Sequence, residues 1–201
     1  MKASRIISMC LAMALSVVSA LAQNDAREPG LYAVNGEEAT RLEFLPGITS
    51  NSATGILGVI ELGKTKCDYK GETSSVRVNG NEFVLVINPE QKNAVRTMKK
   101  YDVFIKTMTP DNILIVPLGV KNKKRFYDKG MTVNGFNTQI KESLGFTWER
   151  ISDNSFRIVA EGLVPGEYAF VFRTSKLDNF DFSAVFDFAY TGEAVPIGSE
   201  E

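Results

Sequence analysis

The chain has 201 residues, 44% of them hydrophobic, and its 23 Lys and Arg residues against 24 Asp and Glu residues give a net charge of −1. This composition is typical of an ordinary globular protein, and the weak charge argues against a general nucleic-acid binder. The chain has no histidine, which excludes Ser-His-Asp and Cys-His catalysis and the usual zinc sites. We therefore expect no metal and no cofactor, with calcium held by oxygen ligands such as Asp178 and Asp181 as the alternative left open.

The first 22 residues have the features of a signal peptide. Lys2 and Arg5 form a positive n-region, an apolar run follows, and Ala20-Leu21-Ala22 matches the small-x-small cleavage pattern. The run is short for a membrane span, which needs about 20 apolar residues, and an uncleaved anchor is the alternative. We expect cleavage near Ala22 and export to the periplasm or the cell exterior, with no membrane span in the mature chain.

Cysteine usage follows from this expectation. Cleavage would remove Cys10 and leave Cys67 as the single cysteine, so an intramolecular disulfide is excluded. Free cysteine is among the most buried residue types. We expect Cys67 to be a small buried side chain, with a reactive thiol or intermolecular pairing as the alternative.

The first half of the mature chain alternates short β-like runs with turn sequences. A hairpin is predicted around Asn35-Gly36 and a second around Asn79-Gly80, because both residues of each pair tolerate positive φ. Between them, Leu45-Pro46-Gly47 is expected to end a strand and residues 48–55 to form a loop. The run Phe83–Ile87 has no polar alternate, so both of its faces should be buried, as in a central strand of a sandwich.

The middle of the chain continues this pattern. Strands are predicted at Tyr101–Met108 and Ile113–Val116, the second ending near Pro117 and Gly119 at a bulge or an edge. Asn137–Leu144 is the best candidate for a short helix. A further hairpin is predicted around residues 152–155, which form a polar turn between two β-like runs.

The C-terminal runs have the clearest period of two. Tyr168, Phe170 and Phe172 should share one face of a strand. The even positions of the next run should do the same; they are Phe180, Phe182, Phe186, Phe188 and Tyr190. We interpret these aromatics as one sheet face packed into the core, and a sugar-stacking platform is the alternative.

Together these runs predict a mainly β protein, an antiparallel β-sandwich of immunoglobulin-like or related type with at most one or two short helices. The predicted organisation is a signal peptide (1–22), an N-terminal β-subdomain (23–92), a C-terminal sandwich (97–191) and a tail (192–201). Whether the two β segments share one core is left open.

Two groups of charged residues are candidates for function. The basic cluster Lys121, Lys123, Lys124 and Arg125 could hold an anionic glycan, a lipid head group or an acidic protein surface. Alternatively it is a solvated loop whose charges deter edge-to-edge strand pairing. A carboxylate-dependent glycan hydrolase would need two acids across a cleft; the candidates are Glu149, Glu167, Asp178, Asp181 and Asp187.

Several segments also form a combined pattern: residues 28–32 (EPGLY), the basic stretch 121–125, residues 163–170 (LVPGEYAF) and residues 185–188 (VFDF). In this pattern the chain resembles a group of exported bacterial β-proteins, many of them from Bacteroidetes. It departs from them at Ala189-Tyr190, where they often have a small Gly-containing tail. The resemblance implies export and a β fold, and because the group has no assigned activity it implies no active site.

The sequence therefore favours an exported, non-catalytic binding or structural protein of the bacterial cell envelope. Its partner is an envelope glycan, a lipid head group or a protein, and nucleic acid is not expected. The alternatives are the carboxylate-dependent hydrolase and a subunit of a larger envelope assembly.

Overall fold

The computed structural model describes residues 28–56, 60–87, 109–133, 136–137, 142–173 and 180–193. These residues are mostly in strands, which confirms the prediction of a mainly β protein. The strands are, in chain order, β1 (Gly30–Asn35), β2 (Glu38–Arg41), β3 (Phe44–Ile56), β4 (Ile60–Lys70), β5 (Arg77–Val78), β6 (Glu82–Val86), β7 (Ile113–Lys121), β8 (Lys124–Val133), β9 (Phe136–Asn137), β10 (Phe146–Ser152), β11 (Ser155–Ala160), β12 (Gly166–Arg173) and β13 (Phe180–Tyr190).

The strands form two sheets. The first has five antiparallel strands in the order β10-β11-β6-β1-β2. In the second, β12, β7, β8, β4, β3 and β13 are neighbours in that order, and β13 also pairs with β12. These six strands therefore close into a barrel, to which β5 and β9 add short pairings. A closed sheet leaves no long unpaired edge.

The predicted β-sandwich is not confirmed, since the larger sheet is a closed barrel. The barrel includes a hairpin of β3 and β4 that was not predicted from the sequence. Residues 48–55 are not a loop but lie within β3, which pairs with β4 without interruption from Gly47↔Tyr69 to Ile56↔Ile60. Pro46 does not end a strand and lies inside β3, opposite Ala184. The reason is tertiary, since β propensity is a weak local preference that pairing with neighbouring strands overrides.

The largest hydrophobic core lies between the five-stranded sheet and one wall of the barrel. It combines Leu31, Phe83 and Ile158 of the sheet with Phe170 and Phe188 of the wall. Both sheets and this core draw on strands from the ranges 23–92 and 97–191. The core thus depends on residues far apart in the chain.

A second core fills the barrel interior. Cys67 is fully buried there, as predicted, and its Sγ lies 3.3 Å from the Thr49 hydroxyl oxygen. Tyr69, beside it, donates a hydrogen bond of 2.9 Å to the carbonyl oxygen of Phe182 on β13. The interior of the barrel is therefore packed with side chains at this level.

The aromatic alternation is confirmed for β12 and for the end of β13, and it is wrong for Phe182. Between Phe170 and Phe172 the pairing advances two residues on β12 but five on β13, from Phe186 back to Asp181. An odd number of extra residues turns the side chains that follow to the opposite face. Phe182 consequently lies inside the barrel, stacked on Tyr127 at 4.4 Å, whereas the core between the sheets holds Tyr168, Phe170, Phe172, Phe186, Phe188 and Tyr190.

The predicted hairpins are confirmed in two cases of three. β1 pairs with β2 and β10 with β11, around turns at residues 36–37 and 153–154. Asn79-Gly80 does not form a hairpin, because β5 pairs with β13 of the second sheet and β6 with β1 and β11 of the first. Val76, which precedes β5, and Val78, which lies in it, are buried in the large core, and this burial outweighs the local turn preference. As predicted, β6 is a central strand.

Two predicted ends are also corrected. β7 runs through Pro117 and Gly119 to Lys121 because Gly119 gives room to the ring of Phe126 on β8, 2.6 Å from where a Cβ would be. At the ends of the predicted helix, Asn137 pairs with Thr132 and Leu144 bridges to Ile115. Neither end is helical, and residues 138–141 lie outside the described part of the chain.

The signal peptide, the strand Tyr101–Met108 and residues 194–201 of the tail lie outside the described residues. No helix among the residues that are described is long and apolar enough to cross a membrane.

Candidate functional site

The basic cluster is located at one end of the barrel, on the turn between β7 and β8. Lys121 pairs with Lys124, which leaves Asn122 and Lys123 as a two-residue turn. Both have positive φ, 53° and 59°, as a type I′ hairpin turn requires. Asparagine tolerates this conformation, but a lysine there is strained, and glycine is the residue usually found.

Three lysines lie side by side near this turn. Lys124 pairs with Lys121 on one side and with Lys70 at the end of β4 on the other. Paired residues of neighbouring strands point to the same face, and strands are about 5 Å apart. Lys70, Lys121 and Lys124 therefore form a row on the outside of the barrel, and together with Lys123 we call them the lysine row.

All four side chains of the lysine row are exposed, and none forms an ion pair with a described residue. Glu72, two residues beyond Lys70, is an exposed acid close to the row along the chain. The row thus presents four ammonium groups to solvent. Such a surface attracts anions through long-range electrostatics that salt weakens.

Arg125 is not part of this exposed surface. Side chains alternate along a strand, so Arg125 points into the barrel where Lys124 points out, and only 3% of it is exposed. Its guanidinium donates to the carboxylate of Asp187, which is also buried, and to Glu167 at 3.4 Å. It also donates to the carbonyl oxygens of Lys70 (3.0 Å) and Gly71 (3.3 Å). The four predicted site residues therefore do not form one surface.

The carboxylate of Glu167 links this buried group to the segment that follows β4. It accepts hydrogen bonds from the Thr73 hydroxyl at 2.6 Å and from the Ser74 backbone N–H at 2.9 Å. The Ser74 hydroxyl donates in turn to the carbonyl oxygen of Asp187, at 3.2 Å. Arg125, Asp187, Glu167, Thr73 and Ser74, which we call the buried arginine network, thus fix the end of β4 to β8, β12 and β13.

The remaining acids named as catalytic candidates have other partners or lie outside the described side chains. Glu149 accepts a hydrogen bond of 3.0 Å from Arg157, which also pairs with Glu82. Hydrogen bonding by Glu82, and secondarily by Glu149, raises the pKa of Arg157 above its ordinary value. The contribution of Arg157 to stability is thus fully present below the ordinary pKa of arginine and is lost only as the pH rises through the raised pKa. Asp178 and the side chain of Asp181 are outside the described part.

The described aromatics of β12 and β13 are all buried, so they are not available as a sugar-stacking platform. Among the described residues, no group of three or more Cys, Asp or Glu side chains could hold a metal ion. The polar groups of this region act as structural partners of one another.

Sequence reasoning missed Lys70 and two exposed aliphatic residues at the same end of the barrel. Lys70 is 51 residues before Lys121 in the chain, and only the pairing of β4 with β8 brings it to Lys124. Val120, with 52% exposed, precedes the turn, and Val164, with 51% exposed, lies just before β12, which pairs with β7 up to Glu167↔Leu118. The local sequence contains no signal for these positions, because each depends on strand register.

Comparison of the chain with models of protein families, with curated proteins and with solved structures finds no match.

Proposed function

We propose that the protein is an exported, non-catalytic binding module of the bacterial cell envelope, and that the lysine row is its contact surface for an anionic partner. The observation that carries this proposal is the conformation of Lys123, at φ 59° in the turn between β7 and β8. Strained backbone positions persist where the surrounding structure fixes them, and they cluster at functional sites. Here the residue at that position is a lysine with an exposed side chain.

The arrangement around Lys123 supports the same reading. Lys121 and Lys124 are held by strand pairing and Lys70 by the neighbouring strand, so the spacing between three of the charges is fixed by the backbone. The buried arginine network lies directly beneath them and holds the end of β4 in place. A preorganised set of charges loses less entropy on binding than charges on a flexible loop.

The hydrolase alternative loses support from the same contacts. Glu167 and Asp187 share Arg125, and Glu149 pairs with Arg157. A glycosidase needs one carboxylic acid and one carboxylate free to face the substrate. Acids that are paired with guanidinium groups are poorly suited to either role, and the described aromatics of β12 and β13 are buried.

The proposal is tested with a native envelope fraction and the double variant Lys123→Gln/Lys124→Gln of the mature chain. Binding at low salt should fall roughly tenfold, because two charges of the contact surface are removed, and the difference should shrink at high salt. The matched control is Arg41→Gln/Arg150→Gln, which removes the same net charge from exposed positions on the five-stranded sheet. Equal binding by the two double variants would remove the lysine row from the proposal.

A further inference from the structure

The geometry of the barrel end points to a specific partner. We propose that the lysine row docks the protein on an anionic lipid surface, with Val120 and Val164 entering the interface between head groups and acyl chains. This inference rests on the proposed function and deepens it. It combines two features found at the same end of the barrel: exposed cations and exposed aliphatic side chains.

Exposed aliphatic side chains lie near the lysine row. Four large hydrophobic residues among those described are exposed, and two of them, Val120 and Val164, lie at this end of the barrel. Val120 pairs with Arg125 and is therefore on the opposite face of the hairpin from Lys121 and Lys124. Since Arg125 is buried and Val120 is half exposed, the hairpin extends past the packed interior and presents its tip to solvent.

The topology places Val164 at the same end of the barrel as this tip. β12 is antiparallel to β7, and their pairing ends at Glu167↔Leu118, so the start of β12 and the end of β7 lie at one end of the barrel, and Val164 is three residues before Glu167. The Tyr168 hydroxyl donates a hydrogen bond of 2.8 Å to the carbonyl oxygen of Val164 and accepts one from its N–H. The backbone at Val164 is therefore held by these two hydrogen bonds while its side chain remains exposed.

The presence of exposed cations and exposed aliphatic groups at one end of the barrel indicates which kind of partner the surface would bind. Any polyanion would attract the lysine row, but a hydrated polysaccharide or an acidic peptide gives the two valines no apolar environment. A lipid surface provides both, because anionic head groups attract lysines and the acyl boundary accepts apolar side chains a few ångströms below. The observations therefore favour lipid over the other anionic partners.

The test uses sedimentation of the mature chain with vesicles of phosphatidylcholine and phosphatidylglycerol in equal parts, and with vesicles of phosphatidylcholine alone. We expect binding to the anionic vesicles and little to the neutral ones. Lys123→Gln/Lys124→Gln should lower the partition coefficient about 25-fold at low salt, since each lysine near an anionic surface contributes about fivefold. Val120→Ser/Val164→Ser should lower it by a similar factor of about 25, because each half-exposed valine loses a burial worth about fivefold.

The controls separate this inference from the proposed function. Trp148→Ser removes an apolar side chain that is 44% exposed on β10 of the five-stranded sheet, which does not carry the lysine row, and should bind the anionic vesicles like the parent chain. Vesicle binding that is absent, or unchanged in the valine double variant, would overturn the lipid inference. The proposed function would survive that result if Lys123→Gln/Lys124→Gln still lowered binding to the native envelope fraction. If it did not, both would fall.

Discussion

Lys124 and Arg125 are neighbours in the chain and face opposite sides of the barrel wall. Lys124 is solvated, whereas Arg125 is 3% exposed and is held by Asp187, Glu167 and two carbonyl oxygens. A buried charge whose partner is removed is strongly destabilising, while a solvated charge contributes little. These two residues therefore offer a matched pair of substitutions that differ mainly in burial.

We predict that Arg125→Met lowers the free energy of unfolding by about 3–5 kcal/mol, because it leaves Asp187 buried without its cation. Lys124→Met should change it by less than about 0.5 kcal/mol. Urea denaturation of both variants measures the difference. The double variant Arg125→Met/Asp187→Asn should lose less than the sum of the two single losses; additive losses would show that Arg125 and Asp187 do not interact.

Residue-level prediction from the sequence has a clear limit here. The run Lys121–Arg125 looks like one basic loop when it is read by composition. If the positions of β7 and β8 are known, strand alternation predicts that Lys124 and Arg125 point in opposite directions. The partners of Arg125 could not be predicted, because Asp187 is 62 residues away in the sequence and only the barrel brings the two together.

Among the strands, β3 is the one whose sequence gives the least indication of its structure. Gly47 lies where a Cβ would be 2.5 Å from a ring atom of Tyr69 and 2.9 Å from the carbonyl oxygen of Phe182. Tyr69 is buried and donates its hydroxyl hydrogen to that same carbonyl oxygen. The contact of β3 with the interior of the barrel thus depends on the absence of a side chain at Gly47.

We predict that Gly47→Ala destabilises the protein by about 1–3 kcal/mol, since overpacking displaces a buried ring or backbone. Gly166→Ala is the control: its nearest would-be neighbours are 3.6 Å away and its φ is not positive, so the change should be neutral or slightly stabilising. Thermal unfolding of the two variants provides the comparison. A Gly47→Ala variant as stable as Gly166→Ala would mean that Tyr69 does not pack against β3 as described.

The strands themselves were predictable to very different degrees. The sequence identifies β6 by its apolar run, β12 by its alternation, and β10 and β11 by the polar turn between them. The sequence does not identify β3, because many of its residues are small or polar and have low β propensity. Its extended conformation is stabilised by pairing with β4. Asn79-Gly80 is the converse case. Its sequence predicts a hairpin, but the burial of Val76 and Val78 in the core stabilises a different arrangement.

At the scale of the whole molecule, the sequence predicts a mainly β chain and not the closure of its larger sheet. Closure requires β13 to pair with β12 on one side and with β3 on the other, and the pairing with β3 joins segments more than 130 residues apart. Periodicity describes one strand at a time and contains no information about which strands meet. The lysine row also depends on a pairing between distant segments, since β4 supplies Lys70 and β7 and β8 supply the rest.

The turn between β7 and β8 affects both the stability of the whole protein and its proposed binding to the envelope. Lys123 and Asn122 both have positive φ, but glycine relieves strain mainly at the lysine, because asparagine tolerates the left-handed region. Lys123→Gly removes one charge from the lysine row, whereas Asn122→Gly leaves all four. Comparison of the two variants therefore distinguishes the effect of the Lys123 charge on binding from the effect of the turn conformation on stability.

The most direct measurement is the stability and the envelope binding of Lys123→Gly and Asn122→Gly, side by side with the parent chain. We predict that Lys123→Gly is about 0.5–1 kcal/mol more stable and binds the envelope fraction about threefold more weakly at low salt, half of the roughly tenfold effect on a logarithmic scale that is expected for the double lysine variant. Asn122→Gly should bind like the parent chain, with a smaller change in stability. A Lys123→Gly variant that gains stability and binds as tightly as the parent would contradict a contact surface built on the lysine row.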